Sequence, residues 1–280
     1  MELGIFAKTF PELGASLSLD AVRRTGFSTA QFNLACLGLA SMPDTIGSDV
    51  TVQIAEASRH TGVGIAAISG TYNMAHPDPA VRVKGMARLT TMIESAHAMG
   101  TRLVTLCTGS RDPDDQWRYH PGNASAEAWR DLLKEMERAI EVAELHDVDL
   151  GVEPELANVV ASAADALHLV DTLKSSRIKI VLDPANLYER GPAAERRDTI
   201  ERAVDALADR IVMAHAKDRM EDGSFTAAGT GVIDFNHFVA TLRRNGFDGP
   251  LVTHGLAAHE APTVATFLRN VLAELGEPAQ

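Results

Sequence analysis

The sequence has few cysteines, no long apolar run and no secretory signal, and each of these absences excludes a class of protein. Only two cysteines, Cys36 and Cys107, occur in 280 residues, too few for a disulfide framework or a cysteine-based zinc site. No apolar run reaches the roughly 18 residues that a membrane-spanning helix needs. The first residues lack the basic flank and apolar stretch of a secretory signal. We therefore expect a cytoplasmic protein without a membrane partner.

Basic residues are also in deficit. The chain has 26 lysines and arginines against 38 aspartates and glutamates, a formal net charge of −12. A nucleic-acid-binding protein would need a concentrated basic stripe to overcome that field, and here the basic residues are scattered or occur in pairs such as Arg23 and Arg24. We therefore expect no nucleic-acid partner.

What the sequence does contain is an alternation of two patterns. Short runs rich in β-branched residues are typical of strands, and each is followed by a stretch with apolar residues at helical spacing. The predicted strands are 3–7, 29–33, 64–69, 103–107, 148–153, 178–183, 211–215 and 251–254. The predicted helices lie near 18–25, 48–60, 79–99, 124–146, 161–175, 197–208, 234–245 and 260–275.

Eight strand-and-helix units predict an α/β protein with a parallel sheet. Eight is also the number that closes into a (β/α)8 TIM barrel, which carries its chemistry at the C-terminal ends of the strands. Because the composition does not change along the chain, residues 1–280 are predicted to form a single domain. A doubly wound open sheet is the alternative, but Gly62 and Gly64 lie before or at the start of their strand, where a dinucleotide fingerprint would follow it.

Four polar residues at strand ends occupy positions whose side chains should point into the barrel. Alternate residues of a barrel strand point inward and outward, and this alternation places Glu153, Asp183, His215 and His254 inside, each at the end of its own strand. Two carboxylates and two imidazoles suit a transition-type divalent ion better than Ca²⁺. We expect one ion, Mn²⁺ in the first place, with Mg²⁺, Co²⁺, Zn²⁺ or Fe²⁺ as alternatives.

Five short stretches resemble a known family. Residues 150–155, 181–187, 215–218, 229–235 and 246–251 read LGVEPE, VLDPANL, HAKD, GTGVIDF and GFDGPL. In this order and spacing they resemble the xylose isomerase-like TIM barrel superfamily, which contains sugar isomerases and epimerases and the family 2 AP endonucleases. The resemblance implies that Glu153, Asp183 and His215 are metal ligands. It also implies a homodimer or homotetramer, since barrels of this superfamily are commonly dimers or tetramers.

Two positions depart from the family pattern. His254 stands where the epimerases usually carry a second glutamate, which serves as a ligand and acid/base, and Asn186 stands where a histidine is frequent. Histidine can still bind the ion, but a symmetric two-base epimerisation then lacks one of its bases. Either Glu153 or Glu155 acts as the base on one face, or His254 is an unligated acid/base. Lys217 has the parity of His215 and could neutralise an enediolate, and Asp218 would then be its structural partner.

Substrate contacts are predicted mainly in the loops after the third and fourth strands. The loop from residue 108 to 121 is long and rich in polar and aromatic residues, which is typical of pocket walls or oligomer contacts. Trp117 is expected to stack on a sugar, and Arg111 or His120 to bind a hydroxyl or carboxylate. The remaining predicted contacts are His76, Asn158 and Asn186.

These residues favour a divalent-metal-dependent isomerase or epimerase that acts on a small unphosphorylated ketose or keto-sugar through an enediolate. The first alternative is a metal-dependent lyase or decarboxylase on a keto-sugar acid such as a 3-oxo-isoapionate, in which only one proton need be delivered. The second is a metal-free barrel that serves as a binding or assembly subunit. An abasic-site nuclease is disfavoured, because Gln31, Asn33 and Ser69 supply none of the extra ligands that it needs.

Overall fold

Each of the eight β-branched runs forms a strand. A computed structural model describes residues 1–10 and 14–276. Within these ranges the strands are β1 (Leu3–Phe6), β2 (Thr29–Phe32), β3 (Gly64–Ser69), β4 (Leu103–Cys107), β5 (Asp149–Glu153), β6 (Ile178–Leu182), β7 (Ile211–Arg219), β8 (Phe225–Ala227) and β9 (Leu251–Thr253). The helices are α1 (Gly14–Arg24), α2 (Ser48–Thr61), α3 (Pro79–Ser95), α4 (Ala126–His146), α5 (Ala163–Leu173), α6 (Ala193–Leu207), α7 (Phe235–Arg244) and α8 (Ala261–Glu274). Among these described helices, none has the length and apolar character to cross a bilayer.

Eight of the strands close into a parallel barrel. Strands β1 to β7 pair in sequence order, and β9 closes the ring between β7 and β1. Leu3 on β1 lies opposite Leu251 on β9, and Leu251 in turn pairs with Ala214 on β7. The helices between the strands cover the outside, as the buried apolar face of α4 shows with Leu132 and Met136. The predicted (β/α)8 barrel is therefore confirmed.

The interior of the barrel is apolar at its centre and polar at one end. Its central layer is a small cluster of buried side chains from five strands: Ala67, Leu103, Val181, Met213 and Val252. Two residues after three of these, at the same parity, come Asp183, His215 and His254. The two-residue period of the strands therefore raises these polar groups directly above the apolar layer, at the C-terminal end of the barrel.

The seventh barrel strand is longer than the sequence predicts. It was expected to end at His215, but β7 continues to Arg219 and turns back as the antiparallel strand β8, so that Lys217 pairs with Ala227. Residues 216–219 include no β-branched residue, so the strand pattern could not indicate this extension. The backbone pairing with β8 stabilises it instead. The resulting hairpin stands over the C-terminal end of the barrel and carries Phe225.

The chain that follows the hairpin is anchored by one buried carboxylate. Asp218 is fully buried and accepts hydrogen bonds from the backbone N–H groups of Arg219, Gly229, Gly231 and Ile233. A Cβ atom at Gly231 would lie 2.5 Å from the Asp218 carboxylate, so glycine is needed there for the close approach. The interpretation of Asp218 as the partner of Lys217 is wrong, because backbone amides occupy its oxygens.

We expect Asp218→Ala to destabilise the protein by about 3 kcal/mol or more, because four backbone N–H groups, including those of the buried residues Arg219 and Ile233, would lose their acceptor. The free energy of unfolding in urea measures this effect. Asp222→Ala is the matched control, since Asp222 is exposed at the tip of the same hairpin and, within the described part of the chain, its side chain bonds only to Ser224. An equal loss in both variants would show that Asp218 does not anchor the segment.

Candidate active site

Four ligand-type side chains meet at the C-terminal end of the barrel. One donor atom from each of Glu153, Asp183, His215 and His254 lies within 4.8 Å of the others. They come from the end of β5, from the residue after β6, from the middle of β7 and from the residue after β9. The structure therefore brings together the four residues that strand parity placed inside the barrel.

Asp183 is the most deeply buried member of the cluster and is fully inaccessible to solvent. One carboxylate oxygen accepts a hydrogen bond from the backbone N–H of Ala185, and Asp183 thereby caps the short 3-10 turn Pro184–Asn186. The other oxygen lies 3.1 Å from His254 Nε2 and 3.1 Å from Lys217 Nζ. Burial by itself would raise the pKa of Asp183, but Lys217 and His254 outweigh it and hold the pKa well below its usual range.

Glu153 and His215 form the second half of the cluster. Glu153 Oε1 accepts from Asn186 Nδ2 at 2.9 Å and lies 3.1 Å from His215 Nδ1. Burial opposes the charged forms, but the mutual attraction of the two groups prevails, so the pKa of Glu153 is lowered and that of His215 is raised. Burial and the neighbouring His215 lower the pKa of His254.

Lys217 is held inside the site by three interactions. Its Nζ donates to Asn186 Oδ1 at 2.8 Å, lies 3.1 Å from Asp183 Oδ2, and stands 3.9 Å from the centroid of the Phe225 ring. Burial lowers the pKa of Lys217, but the surrounding carboxylates raise it above its usual value. Asn186 thus connects Lys217 to Glu153, and the lysine compensates the charge of Asp183.

Glu155 lies beside the cluster with its carboxylate free. Among the residues that the structure describes, no basic group lies within the 4.0 Å that would make an ion pair with it, whereas Glu153 and Asp183 both have cationic neighbours. Burial raises the pKa of Glu155 to about 7. A carboxyl group with this pKa can both take up and release a proton near neutral pH.

The chemistry of the donor set fits a divalent ion. Two carboxylates and two imidazoles offer oxygen and nitrogen donors in one small volume, and this mixture suits Mn²⁺, Co²⁺, Zn²⁺ or Fe²⁺ better than an all-oxygen ion such as Ca²⁺. Three of the four donor side chains also have a hydrogen-bond partner outside the cluster, namely Ala185 N for Asp183, Asn186 for Glu153 and Gln31 for His215. Such outer partners are typical of protein metal sites.

A cavity of about 320 Å³ opens directly above the cluster. The predicted residues that line it are Glu153, Glu155, His215, Lys217, His254 and Trp117. Trp117 reaches it from the long loop after β4, and Phe225 reaches it from the hairpin. The cavity therefore combines polar groups at its base with aromatic side chains, an arrangement suited to a small polar ligand.

Other residues predicted to contact a substrate lie outside this cavity or support it. Arg111 is buried and donates to Asp131 at 2.8 Å. His76 lies near the carbonyl of Pro113, and His120 accepts from the N–H of Gly122. Asn158 binds the backbone of residues 109 and 116 across two loops. These side chains hold the loops in place, while Asn186 contacts Glu153 and Lys217 within the site.

Several lining residues were not predicted from the sequence. Gln31, Ser69 and Thr105 line the cavity from β2, β3 and β4, and Phe6 lies at the end of β1. The first three are uncharged polar residues in strands, and the parity that located Glu153 could have found them. The sequence did not indicate that Phe225 lines the cavity, because the hairpin that carries it was not predicted.

Comparison with known proteins agrees with this architecture. A family model described as xylose isomerase-like TIM barrel matches residues 19–271. L-ribulose-5-phosphate 3-epimerase of Escherichia coli strain K12 is 28% identical over 175 residues, which cover 62% of this chain and 56% of that protein. The match thus spans only about half the length of this relative.

Solved structures show the same fold at low identity. The apo form of 3-keto-D-glucoside 4-epimerase from E. coli superposes with a TM-score of 0.77 at 15% identity, covering 96% of this chain and 99% of that one. An L-ribulose 3-epimerase has a TM-score of 0.75 at 18% identity, covering 98% and 95%.

Proposed function

The chain belongs to the xylose isomerase-like TIM barrel family, and on that premise we propose that it is a divalent-metal-dependent isomerase or epimerase of a small unphosphorylated ketose or keto-sugar. The observation that carries the proposal is the cluster of Glu153, Asp183, His215 and His254 at the base of the cavity, with Glu155 beside it. The sequence relative and the structural neighbours described above support sugar epimerisation in general. Because the E. coli relative is named for a phosphorylated sugar, the choice of an unphosphorylated substrate rests on the charges around the cavity.

The charges around the cavity support an unphosphorylated substrate. Lys217 is paired with Asp183, Arg219 donates to two backbone carbonyls, and Arg118 forms a bidentate pair with Asp112. These cations are already engaged, and a phosphate group would have to compete for them. A sugar with hydroxyl groups needs only the polar and aromatic side chains that line the cavity.

We assign the roles as follows. Glu153, Asp183, His215 and His254 would hold the ion, which when bound supplies Lewis-acid polarisation of a substrate carbonyl. Glu155 is the residue best placed to carry a proton to and from the carbon next to that carbonyl, because it lines the cavity, forms no ion pair with the described residues and has a pKa of about 7. Lys217 keeps Asp183 ionised and fixes Asn186.

The lyase or decarboxylase alternative rests on His254. Its Nε2 lies 3.1 Å from Asp183, which supports a role in the ligand cluster over that of a free second base. Among the described residues that line the cavity, Glu155 is then the one carboxylate outside the cluster. A reaction that needs a single proton carrier, either an isomerisation or a decarboxylation, fits this arrangement better than a symmetric two-base epimerisation.

The proposal is tested by incubating the Mn²⁺-loaded protein in D₂O with a panel of ketoses, keto-sugars and keto-sugar acids. After removal of the ion, NMR and mass spectrometry show where deuterium enters and whether a carbon is lost. Deuterium in a recovered sugar with all its carbons would support the isomerase or epimerase. Release of CO₂ with deuterium at the shortened end would establish the decarboxylase and overturn the first proposal.

We expect Trp117→Ala to raise the KM for the exchanging sugar roughly tenfold while kcat changes little, because a lost aromatic contact of about 1.4 kcal/mol weakens substrate and transition state alike. Steady-state kinetics would measure both constants. Tyr119→Ala is the control, since Tyr119 is exposed on the same loop and does not line the cavity. Equal KM changes in both variants would argue for a loop effect and against stacking by Trp117.

A further inference from the structure

Gln31 contacts the cluster from the opposite side of His215. The residue lies on β2, is buried, and places its side-chain oxygen Oε1 2.9 Å from His215 Nε2. Its Nε2 donates to Ser69 Oγ at 3.2 Å and to Thr105 Oγ1 at 3.1 Å. Both N–H bonds of the amide are therefore directed at hydroxyl oxygens, and its oxygen is directed at the imidazole.

The orientation of this amide is coupled to the tautomer of His215. In the neutral imidazole that a metal ion would bind, the Gln31 oxygen facing the ring places the one ring proton on Nε2 and leaves the lone pair of Nδ1 on the side of Glu153. With the amide reversed, an N–H of Gln31 would face Nε2, and the single ring proton would have to lie on Nδ1. A protonated Nδ1 cannot bind a metal ion.

We propose that Gln31 is a positioning residue that accepts the Nε2–H of His215 and thereby presents Nδ1 unprotonated to the ion. The inference rests on the proposed metal site. Ser69 and Thr105 hold the amide in the required orientation, so the arrangement extends over three neighbouring strands, β2, β3 and β4. Partners of this kind on the far side of a ligating histidine fix its tautomer and its ring orientation.

The choice of an amide has an electrostatic reason. The site already contains the three carboxylates of Glu153, Glu155 and Asp183. A carboxylate at position 31 would add another negative charge to a buried volume. An amide supplies an equivalent acceptor without adding charge.

Two isosteric variants separate the acceptor role from packing. Gln31→Met fills the same volume without a hydrogen-bond acceptor, whereas Gln31→Glu keeps the acceptor and loses the amide donor. We expect the Mn²⁺ dissociation constant, measured by titration calorimetry, to rise roughly 10- to 100-fold in the Met variant. In the Glu variant it should stay within about threefold or become tighter, since added negative charge attracts the cation. Melting without metal confirms that both variants fold.

The outcomes distinguish the inference from the proposed function. Equal Mn²⁺ binding by the Met variant and the unaltered protein, or weakening in the Glu variant alone, would overturn the role of Gln31 and leave the metal site intact. If the unaltered protein binds no ion, the metal proposal fails and the inference fails with it. Nitrogen-15 NMR of the Zn²⁺-loaded protein gives a readout that needs no variant: a proton on His215 Nε2 is expected, and one on Nδ1 would overturn the inference.

Discussion

Replacing Glu153 by glutamine is expected to lower the rate of substrate deuterium exchange roughly 10³-fold, because the Lewis-acid ion that this residue would help to hold contributes several kcal/mol to the transition state. The substitution keeps the shape of the side chain but removes a charged donor of the ligand cluster. It also removes the carboxylate that faces His215 Nδ1 at 3.1 Å. We therefore expect Mn²⁺ affinity to fall together with the rate.

Glu155→Gln is the comparison that separates binding of the ion from proton transfer. Glu155 lines the same cavity but lies outside the ligand cluster. Its variant should keep the Mn²⁺ dissociation constant within about threefold while kcat falls roughly 10²- to 10⁴-fold. Glu221→Gln, on the surface beyond β7, controls for a change of net charge and should alter neither quantity. If Glu153→Gln retained both the ion and the full rate, the assignment of Glu153 would be wrong.

The part of the site that the sequence predicts is the part built on strands. A strand in a closed barrel has a fixed two-residue period, so one apolar neighbour such as Val181 or Met213 determines that Asp183 or His215 also points inward. Closure of the barrel then suffices to bring the C-terminal ends of these strands close together. For this reason the four cluster residues could be located from local patterns, although their metal role stays a proposal.

The loops follow no such period, and their residues could not be placed in advance. Arg111 and His120 lie in a loop whose polar groups bind one another and the backbone, and composition alone does not indicate which of them faces the cavity. Gln31 is a different case. Strand alternation predicts that its side chain points inward, but an uncharged amide is not a typical catalytic or metal-binding group. Its importance follows only from its contact with His215.

Removal of the ion is expected to abolish exchange activity and to lower the melting temperature without unfolding the protein. An ion present at 100 times its dissociation constant stabilises the folded state by about 2.7 kcal/mol, which corresponds to a melting shift on the order of 5 to 10 °C for a chain of this size. Dialysis against a chelator, followed by thermal melting and an activity assay before and after Mn²⁺ is returned, measures both effects.

The barrel should survive this treatment because the buried carboxylates keep protein partners when no ion is bound. Lys217 and His254 flank Asp183, and His215 faces Glu153, so the charges of these two carboxylates stay compensated when the ion is lost. Ca²⁺ serves as the control ion, since a site with two imidazoles should bind it poorly and restore little of the shift. Full activity after chelation, with no melting response to any ion, would instead show that the barrel works without a metal.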